Sequence, residues 1–128
     1  EKAKREQWNA TTQLEWKTAV DPEAQLIKRE VNPFQGLPQF ERMNEKERSR
    51  FQHANLSWQL SQFMHGEQGA LITASQLVAA VPWIDAKYYA ATQTMDEARH
   101  VEVFSRYLFE KLEWEWPINP NLRKPRGR

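Results

Sequence analysis

The sequence predicts an all-α protein: an antiparallel hairpin of two long helices, forming half of a four-helix bundle and preceded by a helical and irregular arm. Three observations predict it. Leu56, Leu60, Phe63, Glu67, Ala70, Ala74, Leu77 and Val81 recur at alternating steps of four and three, the seam of a long bundle helix that no proline interrupts. A second seam, Ala86, Ala90, Gln93, Glu97, His100, Phe104 and Tyr107, follows Pro82. The two seams are symmetric about that proline, with Glu67 fifteen residues before it and Glu97 fifteen after.

In chain order, residues 1–43 read as the arm. Residues 1–18 suit a helix whose few apolar members are Trp8, Leu14 and Trp16. Asp21-Pro22-Glu23 reads as N-cap, N1 and N2 of a second short helix running towards Glu30. Asn32-Pro33 stops it, and residues 33–38 are irregular. Asn44-Glu45-Lys46-Glu47 is a capping-box variant that starts the first long helix. Pro82 ends that helix, and the second runs from Trp83 or Asp85 to about Glu113. Residues 44–116 thus form the hairpin and residues 117–128 a solvated tail or linker, with a basic set Arg123, Lys124, Arg126 and Arg128.

Composition narrows the class. A hydrophobic fraction of 40% with only four Gly suits helices, but a mean hydropathy of −0.84 is low for a self-contained core. Eighteen basic against 17 acidic residues give a net charge of +1, no electrostatic case for nucleic acid. The absence of Cys excludes disulfides, Fe–S clusters and thiolate zinc sites. The longest apolar stretch, residues 70–84, carries Thr73, Ser75 and Gln76 and is too short to cross a bilayer. The start, Glu1-Lys2-Ala3, has neither an initiating Met nor a signal-peptide core, so the expectation is a cytoplasmic protein seen as a piece of a longer chain.

The chemistry concentrates in Glu67 and in Glu97-Ala98-Arg99-His100. The i, i+3 offset sets the Glu97 carboxylate and His100 imidazole on one helix face, one turn apart. With a sharp turn at Pro82, Glu67 and Glu97 both stand about 22 Å from the corner, at one height. Packed helices lie ~8–10 Å apart, a gap two Glu side chains bridge through a metal. Carboxylate and imidazole without thiolate suit iron or manganese. Other Glu residues read three positions on meet no His: Glu47 reaches Arg50, Glu67 reaches Ala70 and Glu102 reaches Ser105. The competing reading is a chance pair, solvated or buried-polar. Against it, both residues occupy seam positions where an unpaired carboxylate is expensive, and two carboxylates in one core repel without a cation.

Asp96-Glu97-Ala98-Arg99-His100 resembles the D-E-x-R-H signature of bacterial multicomponent monooxygenase hydroxylases, within the ferritin-like di-iron carboxylate superfamily. The broader pattern is shared with ribonucleotide reductase small subunits, fatty-acyl desaturases and arylamine N-oxygenases, and it covers residues 51–112. The resemblance implies Glu67 as a terminal or bridging ligand, Glu97 as the bridge between two irons and His100 as a terminal imidazole. Asp96 and Arg99 match outer positions that orient ligand His residues. No catalytic residue beyond the ligands is assigned. The resemblance implies the N-terminal half of an oxygenase or oxidase that activates O₂, with a small organic substrate and a reductase as partners. The chain departs from the pattern in lacking a second Glu and a second Glu-x-x-His, so alone it is expected to be inactive. A missing C-terminal half, or a second copy in a homodimeric ferroxidase-like protein, would complete the set. A metal-free helical interaction module is the alternative from another class.

Secondary expectations concern single residues. Gly66 and Gly69 flank Glu67, either opening space or a π-bulge for O₂ or substrate, or allowing close packing against Tyr88 or Trp83. Phe63, Ala70, Ala90 and Phe104 would line an apolar cavity at the site. Tyr107 is read as a core tyrosine rather than an electron relay, His65 as a surface or interface residue, and His53 as too distant to share the metal. The six Trp are read as packing anchors.

Overall fold

The computed structural model describes residues 2–112 and 114–122; Glu113 and the basic tail positions Arg123, Lys124, Arg126 and Arg128 lie outside the described residues. Asn44 opens the main helix as the sequence predicts. Its side-chain oxygen accepts from the Glu47 amide at 2.9 Å, and the Glu47 carboxylate accepts from the Asn44 amide at 2.9 Å. From this cap α4 runs uninterrupted through Glu45–Ala80, 36 residues. Pro82 cannot continue it, and α5 begins after Trp83, spanning Ile84–Tyr107. Lys87 closes the corner, its ammonium donating to the α4 carbonyls of Val78 at 2.9 Å and Ala79 at 3.2 Å, a cation where the helix dipole is negative. Beyond Tyr107 the helix widens into a π turn, Leu108–Leu112, whose Leu108 is fully buried. The two long helices pack along their lengths as an antiparallel hairpin.

Packing departs from the expected seam in an instructive way. Of the α4 seam only Ala74 is buried, while Phe63 is 57% and Leu77 48% exposed. The buried α4 residues include Ser49, Ser57, Ser61 and Met64 instead. One neighbouring helix covers one flank of a bundle seam, and the other flank stays open. Ser57 and Ser61 are buried by the chain returning after α5. Ser57 donates to the Trp114 carbonyl at 2.6 Å, Ser61 accepts from the Trp116 amide at 2.9 Å, and His65 bonds the Trp116 carbonyl at 2.8 Å. Positions 57, 61 and 65 form one stripe at i, i+4, i+8, so His65 is a structural tether to this strap. Trp114 and Trp116 stack at 5.4 Å. Trp58 and Trp83 are 49% and 72% exposed, against the reading of every Trp as a packing anchor.

The arm is less helical than the sequence suggests. The expected helix over residues 1–18 is two short pieces, α1 (Lys2–Arg5) and α2 (Ala10–Gln13). Asn9 breaks it, its side chain accepting from the Thr11 and Thr12 amides as an N-cap. The expected helix from Asp21 to Glu30 is a single turn, with Asp21 accepting from the Glu23 amide at 2.8 Å, followed by a 3₁₀ turn at Arg29–Val31. Tertiary partners capture the backbone that a helix would use. Gln52 accepts from the Leu26 and Ile27 amides at 3.1 and 3.3 Å, and His53 bonds the Ala24 carbonyl at 3.2 Å. Then α3 (Pro38–Glu41) buries Phe40 in a cluster with Phe34 and Phe51. Among the described residues no strand occurs and no helix is long and apolar enough to cross a membrane.

Gly66 and Gly69 fit neither close packing nor a π-bulge: α4 is regular through both, and a Cβ at either meets nothing within 4 Å. Gly66→Ala is therefore expected to stabilise the chain by up to ~1 kcal/mol. An unchanged or lowered urea midpoint would show that the space is used.

Candidate metal centre

Glu67 comes from the middle of α4 and Glu97 and His100 from α5, at matching heights because the hairpin turns midway between the two glutamates. One ligand atom from each residue lies within 4.8 Å of the others. His100 Nδ1 stands 3.2 Å from a Glu97 oxygen and 3.4 Å from a Glu67 oxygen. Glu97 is buried, 8% exposed, whereas Glu67 and His100 are half-buried. The structure thus brings together the three residues that the sequence singles out.

A fourth residue supports them. Gln93, one turn before Glu97 on the same face, donates from its amide nitrogen to the other Glu97 oxygen. It lies in the predicted seam, where a polar residue one turn from a ligand was the signal for this role. Asp96 and Arg99 pair with each other at 2.8 Å, and neither bonds His100 directly among the described residues. Phe63 and Phe104 meet at 6.1 Å beside the cluster, and Ala90 is buried, but the exposure of Phe63 leaves this apolar wall open on one side. Tyr107 lines a groove beneath Leu14 and Trp16. His53, capping the arm, has no part in the cluster.

The electrostatics of the cluster favour a cation. The hydrogen bond to Glu97, helped by burial, holds the Glu67 carboxyl above its ordinary 4.5. The same bond, with support from Gln93 and His100, holds Glu97 below its own. The two carboxyls are thus pushed apart in their proton affinity, Glu67 the weaker acid and Glu97 the stronger. Two carboxylates and one imidazole converging on one point suit a hard or borderline divalent cation.

The two shifts have a pH signature. Between 4.5 and the raised Glu67 value the folded chain binds more protons than the unfolded one, so this group makes the fold less stable as pH rises through that window. Glu97 has the opposite sign: its stabilisation is present above 4.5 and is lost as pH falls through its lowered value. A divalent cation competes with protons for these groups, so its affinity is expected to rise with pH through the window of the raised Glu67 carboxyl. Calorimetric titration across this range checks the slope; a pH-independent affinity is the contrary result.

No protein family, curated protein or solved structure matches the chain. The case for function therefore rests on the hairpin and its cluster.

Proposed function

We propose that the hairpin is one half of a di-iron carboxylate centre in an oxygenase or oxidase of ferritin-like type. The observation that carries this reading is the convergence of Glu67, Glu97 and His100 from two helices onto one point. In this reading Glu67, Glu97 and His100 would hold the metal, with Gln93 orienting Glu97. A bound iron pair supplies reduction of O₂ and oxidation of a small organic substrate, with electrons from a reductase; manganese is the alternative metal. The chain's own residues hold the metal, set its charge and wall one side of the site with Phe63 and Phe104.

Three ligand residues are too few for two irons. The open flank of the seam, with Phe63 and Leu77 exposed, supports completion by further helices that bring a Glu and a Glu-x-x-His. These come from a C-terminal half of the protein or from a second copy of the hairpin. Sedimentation of the chain with and without ferrous iron, under anaerobic conditions, separates the two. Iron-dependent dimers with about two irons per four helices indicate a second copy; a monomer holding iron weakly indicates the other half. Iron retention no greater than that of a cysteine-free helical control would sink the metal reading and leave a metal-free interaction module.

A further inference from the structure

The cluster holds His100 at only one edge. Its side chain is 39% exposed, its Nδ1 contacts are 3.2 and 3.4 Å long, and no hydrogen bond reaches its Nε2 among the described residues. Contacts this weak leave the ring free to turn about χ2. The arm supplies what the cluster lacks. Trp8 lies against His100 with ring centroids 6.4 Å apart and planes 32° from parallel, within the range of an aromatic pair. Trp8 is itself held by Arg99, whose guanidinium lies 5.8 Å from its ring centre. Arg99 is buried and tied to Asp96 at 2.8 Å.

We infer that Trp8 is a positioning residue for His100, held by the Asp96–Arg99 pair, and that the arm is thereby part of the metal centre. Asp96 and Arg99 each immediately precede a ligand in sequence, yet they act on His100 through the indole rather than by a direct hydrogen bond. Trp8 blocks rotation of the imidazole away from the carboxylates and narrows the open cavity of about 630 Å³ that runs between the arm and α5 to His100. The arm has a second, separate anchor: Trp16 stacks on Arg106 at 4.1 Å, two turns along α5 from Arg99, and Lys111 donates to the Trp16 and Thr18 carbonyls. Docking of the arm and contact with His100 can therefore be separated by mutation.

The inference rests on the metal reading only for its consequence, so the test has two readouts. The first is the His100 side-chain nitrogen spectrum of the metal-free 128-residue chain. The second is affinity for cobalt(II), used as a spectroscopic stand-in for iron. In Trp8→Ala the His100 nitrogens are expected to move to averaged, mobile positions, and cobalt(II) affinity to fall ~10–100-fold, the usual effect of removing a group that orients a ligand. Trp8→Phe, which keeps a ring, restores most of both. Trp16→Ala loosens the arm but leaves the His100 signals in place. Unchanged His100 signals in Trp8→Ala overturn the inference. So does a Trp16→Ala variant that disturbs His100 as much, because docking of the arm alone would then account for the effect. If Trp8→Ala loses helix content, Trp8→Leu replaces it, with the His100 signals and the cobalt(II) affinity moving in the same direction but less far, because its bulk keeps part of the block. A wild-type chain that binds no cobalt(II) contradicts the metal reading, and the metal-free spectrum still decides the role of Trp8.

Discussion

Glu97→Ala is expected to abolish metal binding by this chain while leaving the hairpin folded. Glu97 is the buried member of the cluster and lies within reach of both other ligands. Its loss removes one ligand outright and also the bond that raises the Glu67 pKa. Removal of an orienting group alone costs ~10–100-fold in affinity, so loss of a ligand should exceed ~100-fold. The fold should survive, because Ala suits the interior of α5 and the substitution removes a carboxylate held close to that of Glu67. The comparison is metal content after identical loading and desalting, with helix content as a control. Equal metal in the variant and the wild type would mean that the convergence in the structure has no coordinating role.

Phe40→Ala should produce the largest loss of stability, ~3–5 kcal/mol for a buried aromatic. Phe40 is 4% exposed, packs at 6.0 Å from Phe34 and 5.8 Å from Phe51, and lies under the Arg48 guanidinium at 5.4 Å. It is where the arm is fastened to the first turns of α4. Small domains have total stabilities of only ~5–15 kcal/mol, and this chain leaves one flank of its seam uncovered, so the variant is expected to unfold at low urea or to lose the arm. A change below ~1 kcal/mol would show that the hairpin stands without this cluster.

The hairpin was legible because its signals are local and strong. The Asn44–Glu47 cap, the stop at Pro82 and the two seams each name one element, and the structure places both helices accordingly. The metal cluster was legible for a geometric reason: equal distances from a turn become equal heights on two helices. What the sequence concealed depends on partners far along the chain. Asp21-Pro22 is a sound helix start, yet Gln52 and His53 claim the backbone beyond it. Ser57 and Ser61 gave no sequence signal, and His65 read only as a surface or interface residue, because a peptide strap, unlike an apolar helix, is held by hydrogen bonds alone. Likewise nothing in Trp8 itself says that it meets His100, ninety-two positions on. Phe63 and Leu77, placed on the seam by their spacing, are exposed because the hairpin covers only one flank of it.

The most direct measurement is iron-edge X-ray absorption of the iron-loaded chain beside its His100→Ala variant. The account predicts a first shell of oxygens with an imidazole in the wild type, loss of the imidazole scattering in the variant, and a second iron about 3.5–4 Å away once the bundle is completed. An iron shell of oxygens alone in the wild type, unchanged by the substitution, would contradict it.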